Sequence, residues 1–347
     1  MKKTLAAVAV LGAFAASASA DVTVYGKFDA GLAVVNSGDT TTVKMATGQS
    51  SGNRWGLKGS EKVADGLTVG FQLEAGFYGD KGVNATWDAA KTTDGHRTFH
   101  RESRLWVATD YGTLHFGRMG TLDSGTGSVN LGGSMSAFGT GWGDADVIGK
   151  ANYVTVLDTR RDNVITYQSP KMAGVTVYAQ VAGEAAADGA EWSHDADRYM
   201  AVAAKYQAGA FDAMFTASRL EDSNDAAADK AVDDRDNFNA YVGYNFGVAK
   251  AMLQVNYMEQ GDVVDNWGVV LSATAPLAGG KLLVEAGYGE ATDAKAVESE
   301  KMNFAVGYQH TLSKQTYLYA GLGYNETKTS AKKDDATIAQ FGICHSF

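Results

Sequence analysis

The chain has 347 residues and a formal net charge of −10, with 40 Asp+Glu against 30 Lys+Arg. That acidic balance argues against nucleic acid as a partner, because a polyanion-binding surface needs a clustered excess of Lys and Arg. Cys occurs once, as Cys344, which excludes an internal disulfide, and Pro occurs only twice. A shortage of Pro suits a chain built mostly of ladder-forming strands.

The N-terminus carries a targeting signal. Lys2 and Lys3 precede an apolar stretch from Leu5 to Ala16, and Ala18-Ser19-Ala20 is a small-residue cleavage site. This predicts a secretory signal peptide over 1–20 and a mature chain starting at Asp21. The apolar run is too short for a membrane-spanning helix, and no later stretch is longer: Trp267 to Leu271 is broken by polar residues on both sides. A membrane-spanning fold without apolar helices has to be a closed β-barrel, and a soluble secreted β-protein is the alternative. No Pro/Ser-rich linker divides the chain, so 21–347 reads as one domain.

Period-two alternation dominates the mature sequence. Ala249, Ala251, Leu253, Val255 and Tyr257 alternate with Lys250, Met252, Gln254 and Asn256; Phe238, Ala240, Val242, Tyr244 and Phe246 alternate with Asn237, Asn239, Tyr241 and Asn245; Val175, Val177 and Val181 alternate with Thr176, Tyr178 and Gln180. Such alternation describes strands with two different environments. The segments run about ten residues, the length a tilted strand needs to cross a membrane.

Short turns are expected at 63–66, 110–112, 169–174, 208–210, around Gly247, at 276–280 and at 313–315, with both prolines, Pro170 and Pro276, in turns. Long loops are expected near 36–52, 79–97, 121–160, 184–196, 221–235, 259–264, 291–299 and 327–334. The segments between them number about sixteen, an even count, with short turns at one end and long loops at the other, as in outer-membrane barrels. Tyr25, Tyr111, Tyr167, Tyr206, Phe246, Tyr257, Trp267, Tyr288, Tyr308 and Phe347 lie near strand ends, where rings with a polar edge form interfacial girdles. The last strand, 336–347, ends on Phe347.

Five pieces of sequence resemble Gram-negative general porins, particularly those of β-proteobacteria. They are Val22-Thr23-Val24-Tyr25-Gly26 with Asp29, Asn53-Arg54-Trp55-Gly56-Leu57-Lys58-Gly59-Ser60-Glu61, Gly112-Thr113-Leu114-His115-Phe116-Gly117-Arg118, Asn163-Val164-Ile165-Thr166-Tyr167-Gln168-Ser169-Pro170, and Gly342-Ile343-Cys344-His345-Ser346-Phe347. The resemblance implies an all-β fold, a transmembrane antiparallel β-barrel of about sixteen strands, with the long third loop (121–160) folded inward to narrow the pore. It also implies a homotrimer in the outer membrane, in contact with lipid and lipopolysaccharide, and inserted by the barrel-assembly machinery, which reads the C-terminal Phe347.

A diffusion pore needs an aperture and a fixed field across it. In the family, basic wall residues face acids on the inward loop. The basic positions that carry over are Lys27, Arg54, Arg104 and Arg118, with Arg161 or its neighbour Arg160 as the fifth. The acids would be Asp123, Asp144 and Asp146. Lys58 shares a face with Arg54, which should therefore be lumenal, because a charge facing lipid at mid-membrane costs about 2–4 kcal/mol. Arg118 has the parity of Leu114 and Phe116, so a bulge at Gly117 is needed to turn it inward. Arg101 reads more readily as a rim charge.

The loop lacks the Pro-Glu-Phe-Gly-Gly stretch of enteric members, having Ala137-Phe138-Gly139-Thr140-Gly141-Trp142-Gly143-Asp144 instead, and Cys344 stands where β-proteobacterial relatives often have Arg. Neither G-x-S-x-G nor H-E-x-x-H is present. His96 and His100 lie in a loop entering a strand, so no metal is expected, and a pore needs no cofactor. The reading is passive diffusion of small hydrophilic solutes and ions. A substrate-specific channel is second, and an enzyme built on a barrel third. Acidic loops would attract cations and the basic wall anions, so the sequence leaves selectivity open.

Overall fold

The computed structural model describes residues 22–84, 97–129, 131–139, 141–142, 148–149, 153–183, 197–221, 234–262 and 264–347. The expected signal peptide, 1–20, and Asp21 lie outside them. The strands are β1 (Thr23–Ser37), β2 (Thr40–Thr47), β3 (Arg54–Ala64), β4 (Leu67–Tyr78), the two-residue β5 (Val83–Asn84), β6 (Glu102–Thr109), β7 (Gly112–Gly120), β8 (Arg160–Gln168), β9 (Val175–Gly183), β10 (Arg198–Ala208), β11 (Phe211–Glu221), β12 (Arg235–Asn245), β13 (Lys250–Gln260), β14 (Val264–Leu277), β15 (Gly280–Thr292), β16 (Glu298–Thr311), β17 (Thr316–Thr329) and β18 (Lys333–Ser346). Each pairs antiparallel with its neighbours, and β1 pairs with β18 from Lys27↔Ser346 to Ser37↔Ala336, which closes the sheet.

The barrel has sixteen strands, because β2 and β3 succeed one another along β1 and β5 touches only β4. The break between β2 and β3 has a local cause. Gly48 takes φ 69°, and the next backbone N–H groups, of Gln49, Ser50 and Ser51, turn onto the buried carboxylate of Asp29 at 3.1, 3.0 and 3.1 Å. Three donors converging on one carboxylate repay its burial and fix the interruption.

Burial is inverted relative to a water-soluble sheet. On β13, Leu253, Val255 and Tyr257 are exposed while Met252, Gln254 and Asn256 are buried. The same holds on β12, where Phe238 and Val242 are exposed and Asn237 and Asn239 are fully buried. An apolar outer belt and a polar inner face are what lipid outside and a hydrated bore inside require. No helix among the described residues is long and apolar enough to cross a membrane. Most of the expected girdle rings are on the outer side, Tyr111, Tyr167, Tyr206, Tyr257, Trp267 and Tyr288 among them. Tyr25 is not: its hydroxyl donates to Glu74 at 3.0 Å and accepts from Gln72 at 2.8 Å, inside the barrel.

The expected short turns all occur. Three of the expected long loops do not. Residues 36–52 hold a tight turn at Gly38 (φ 57°) and the strand β2, 327–334 holds only the short turn between β17 and β18, and in 259–264 β13 runs to Gln260 and β14 starts at Val264. The first two hairpins are Thr- and Lys-rich with exposed ends, so the strands continue beyond the stretch where apolar alternation marks them. Pro276 is the penultimate residue of β14, paired with Lys281, where a missing N–H is tolerated at the strand end. At the closure, Gly26 and Phe347 exchange two backbone hydrogen bonds of 3.0 Å.

Candidate functional site

A dense cluster of charged residues occupies one side of the inner face. Arg54 (β3) lies 4.0 Å from the Glu74 carboxylate (β4), which also takes the Arg101 Nε at 2.6 Å. Lys27 (β1) and Arg54 converge on the Ser51 hydroxyl at 3.4 and 3.2 Å. Arg104 (β6) is 3.1 Å from Glu102 and donates to Gln72 at 2.8 Å. Arg160, at the start of β8, feels the charges of Arg101, Glu102 and Glu74. Five cations therefore gather around Glu74 and Glu102, with Asp29 behind Ser51 as a third carboxylate, and the surplus is positive. His100 sits in the same cluster just before β6. Burial, with the neighbouring Arg101, Arg160 and Arg118 charges, pushes its imidazole down to about 4.

The sequence points to Lys27, Arg54 and Arg104 in this cluster, and to Arg160 as one of two choices for its fifth member. It left Arg101 at the rim and did not name the carboxylates. Glu74 alternates with Leu73 and Ala75 on an otherwise regular strand, and Glu102 precedes Arg104 by two, so parity alone puts both inside.

Arg118 is elsewhere. The irregularity expected at Gly117 is present, but on the neighbouring strand. Gly117 pairs with Val164 and Met119 with Arg161, so Asp162 and Asn163 together oppose Arg118. Asn163 absorbs the extra residue at φ 55°, a conformation Asn tolerates better than most. Toward β6 the register stays regular, with Arg118 opposite Ser103 and Phe116 opposite Leu105. Arg118 thus keeps the outward face and binds Asp162 at 2.8 Å and the His100 carbonyl at 2.6 Å. Arg161 goes inward but not to the basic cluster: it lies 5.0 Å over the Tyr199 ring and 3.0 Å from Asp158.

Most of the described parts of 121–159 lie along the inner face of the opposite wall, but Ser128 reaches the charged side, its N–H donating to Glu102 at 2.7 Å and its hydroxyl to Gln72 at 3.0 Å. The Leu122 N–H donates to Gln180 on β9 at 2.9 Å. Asp123 is fully buried and accepts from Tyr199 (β10), Ser218 (β11) and Asn237 (β12) at 2.6, 2.7 and 2.8 Å. Further on, Ala137 N–H donates to Ser272 on β14 at 3.0 Å, and Phe138, Trp142 and Ile148 pack on Leu283, Tyr319 and Ile338. Val154 accepts from Asn266 at 3.2 Å, and Val156 both donates to Asn256 at 2.8 Å and accepts from Asn237 at 3.2 Å. Tyr153 bonds Thr327. Asp123 is therefore an anchor for the segment rather than an acid facing the cations. Asp144 and Asp146 lie outside the described residues.

The sequence profile of the Gram-negative porin family matches residues 6–330. The chain belongs to that family. Among its relatives are outer membrane porin protein 32 of Delftia acidovorans, 30% identical over the whole of both chains, and an outer membrane porin of Bordetella pertussis, 29% identical over the whole of both. The anion-selective porin of Comamonas acidovorans has the same fold, with a TM-score of 0.71 at 24% identity over 95% of this chain and all of that one. This porin is an outer-membrane channel for passive diffusion of small hydrophilic solutes, and the inner face described above is the surface those solutes meet.

Proposed function

We propose that the cluster of Lys27, Arg54, Arg101, Arg104 and Arg160 is one side of the constriction of this channel, that the 121–160 segment is the other, and that the pore favours anions. The observation that carries this is the sharing of Glu74 by Arg54 and Arg101. One carboxylate cannot neutralise two guanidiniums, so a positive field is left at the wall, where low surrounding dielectric makes it count. The opposing wall, covered by the segment, offers mainly amides, hydroxyls and backbone. The name of the Comamonas porin, anion-selective, agrees in sign.

The solutes are passed without chemical change. The chain is exported by cleavage after residue 20 and inserted through recognition of the strand ending in Phe347. It works as a homotrimer, in keeping with a trimer form among porins of this fold, surrounded by lipid and lipopolysaccharide.

Reversal potential across a planar bilayer in a salt gradient tests the selectivity. Wild type should show anion preference, and Lys27→Gln with Arg54→Gln should move the potential toward the cation side. A cation-selective wild type, or a double variant indistinguishable from it, would refute the assignment. Current steps grouped in threes would support the trimer.

A further inference from the structure

On the wall opposite the basic cluster, behind the 121–159 segment, one carboxylate is buried without a counter-charge. Glu285 points inward from β15 and is only 5% exposed. Its Oε1 accepts from the side-chain amide of Asn303, on β16, at 3.1 Å. Its Oε2 has no hydrogen-bond partner, and neither has Oδ1 of the fully buried Asn303. Turning the amide over would set oxygen against the carboxylate, so the bond to Oε1 fixes Oδ1 as an acceptor without a donor.

The surroundings enclose the spot and add no donor. Asn303 Oδ1 lies over Gly287, where an added Cβ would stand 2.0 Å from that oxygen and 3.0 Å from the Val154 side chain of the segment. Ser136 of the segment faces the Glu285 carboxylate. Its hydroxyl proton goes to the Gly139 carbonyl at 3.2 Å, which leaves oxygen lone pairs toward Glu285. On the inner face of β14 to β17 the basic side chains are Lys281 and Lys301. They stand four ladder positions to either side of Glu285, about 13 Å away along the strands.

Three oxygens therefore border one enclosed spot, one of them carrying a negative charge. Burying a charge in that state is costly unless an opposite charge is brought to it. An all-oxygen donor set selects a hard cation. A single carboxylate selects one positive charge rather than two, and no group of three or more His, Cys, Asp or Glu that could hold a metal ion occurs among the described residues.

We propose that Glu285, Asn303 and Ser136 hold a monovalent alkali cation between the wall and the segment. The ion ties Ser136 to β15 and β16 and so helps to keep the segment against the wall. The site lies behind the segment rather than in the path of the solutes, and it does not depend on which ions the pore prefers.

The test combines crystallography with thermal denaturation of the detergent-purified porin. Crystals grown in rubidium chloride should show an anomalous peak between Glu285 Oε2 and Asn303 Oδ1. Glu285→Gln, whose amide brings its own donor, should lower the occupancy roughly tenfold or more. In solution, the wild-type denaturation temperature followed by circular dichroism should be higher in sodium, potassium or rubidium chloride than in N-methylglucamine chloride at equal ionic strength, because that cation is too large for the site. In Glu285→Gln the salts should give the same temperature, and bilayer conductance shows that this variant is a folded barrel. A wild type with no anomalous peak and a denaturation temperature indifferent to the cation would overturn the proposal, leaving a proton or a water as the occupant. A peak or a cation dependence that persists unchanged in Glu285→Gln would overturn it as well.

Discussion

The two halves of the inner wall solve the same problem with different chemistry. From β1 to the start of β8 the inward positions carry Lys, Arg and Glu, held in ion pairs with a surplus of cations. From β9 to β18 they carry Gln180, Ser218, Asn237, Asn256, Asn266 and Ser272, and almost all of these bond the 121–159 segment. An amide side chain can donate and accept at once, so it can satisfy a backbone that presents both N–H and C=O, whereas a guanidinium only donates and a carboxylate only accepts. The wall that holds most of the segment thus does so mainly with neutral groups, some of its own charges being paired one to one, as in Asp212 with Lys250 at 2.9 Å, while the other wall carries a surplus of cations.

The sharpest way to break this contrast is to remove the one charge of the neutral wall's anchor. Asp123→Ala strands the donors of Tyr199, Ser218 and Asn237, at about 1–3 kcal/mol for each buried donor left unpaired. The expected result is a folded barrel that denatures at clearly lower temperature on heat-modifiability gels and shows noisier open-channel current. An unchanged trace would mean that the segment is held without Asp123.

On the charged wall, Glu74→Gln should cost about 1.5–3 kcal/mol, the worth of a hydrogen bond to a charged group, and move the reversal potential further toward anions. A shift toward cations would contradict the charge count. A steric version of the first test is Gly268→Ala. Its Cβ would lie 2.0 Å from the Val154 carbonyl oxygen, pressing the segment off β14 at about 1–3 kcal/mol for overpacking. Denaturation temperature and conductance should both change, whereas Gly247→Ala, in an exposed turn with nothing near it but φ +87°, should lower only the denaturation temperature and leave conductance unchanged.

The smallest expected effect is one of pH. His100 titrates near 4 in the folded barrel against an ordinary 6.5. The unfolded chain takes up its proton first, so stability is full above pH 6.5 and declines as pH falls from 6.5 toward 4. Denaturation temperature measured across that window should fall for wild type and stay flatter for His100→Gln.

Much of this was legible in the residues. Alternation marked the membrane-crossing part of each strand, and Gly marked the turns, with Pro170 in one of them and Pro276 just inside the end of β14. Parity correctly put Lys58 and Arg54 on one face, and Lys58 does lie 5.0 Å over the lumenal Tyr25 ring. Parity also pointed Arg118 outward, and the bulge invoked to reverse it formed on β8 instead, because Asn163 could take the left-handed turn that local sequence does not announce. The anchoring of Asp123 was out of reach for a different reason. Its partners are 76, 95 and 114 residues away, and nothing local in a Leu-Asp-Ser sequence says which wall will receive it.

The seam between β1 and β18 has a consequence for how the barrel forms. Their ladder, from Lys27↔Ser346 to Ser37↔Ala336, joins strands from opposite ends of the sheet, so two edges of unpaired N–H and C=O groups persist until those strands meet. A chain halted before β18 is left as a sticky ribbon rather than a leaky pore. The contact that closes the wall is also the one that removes its aggregation hazard.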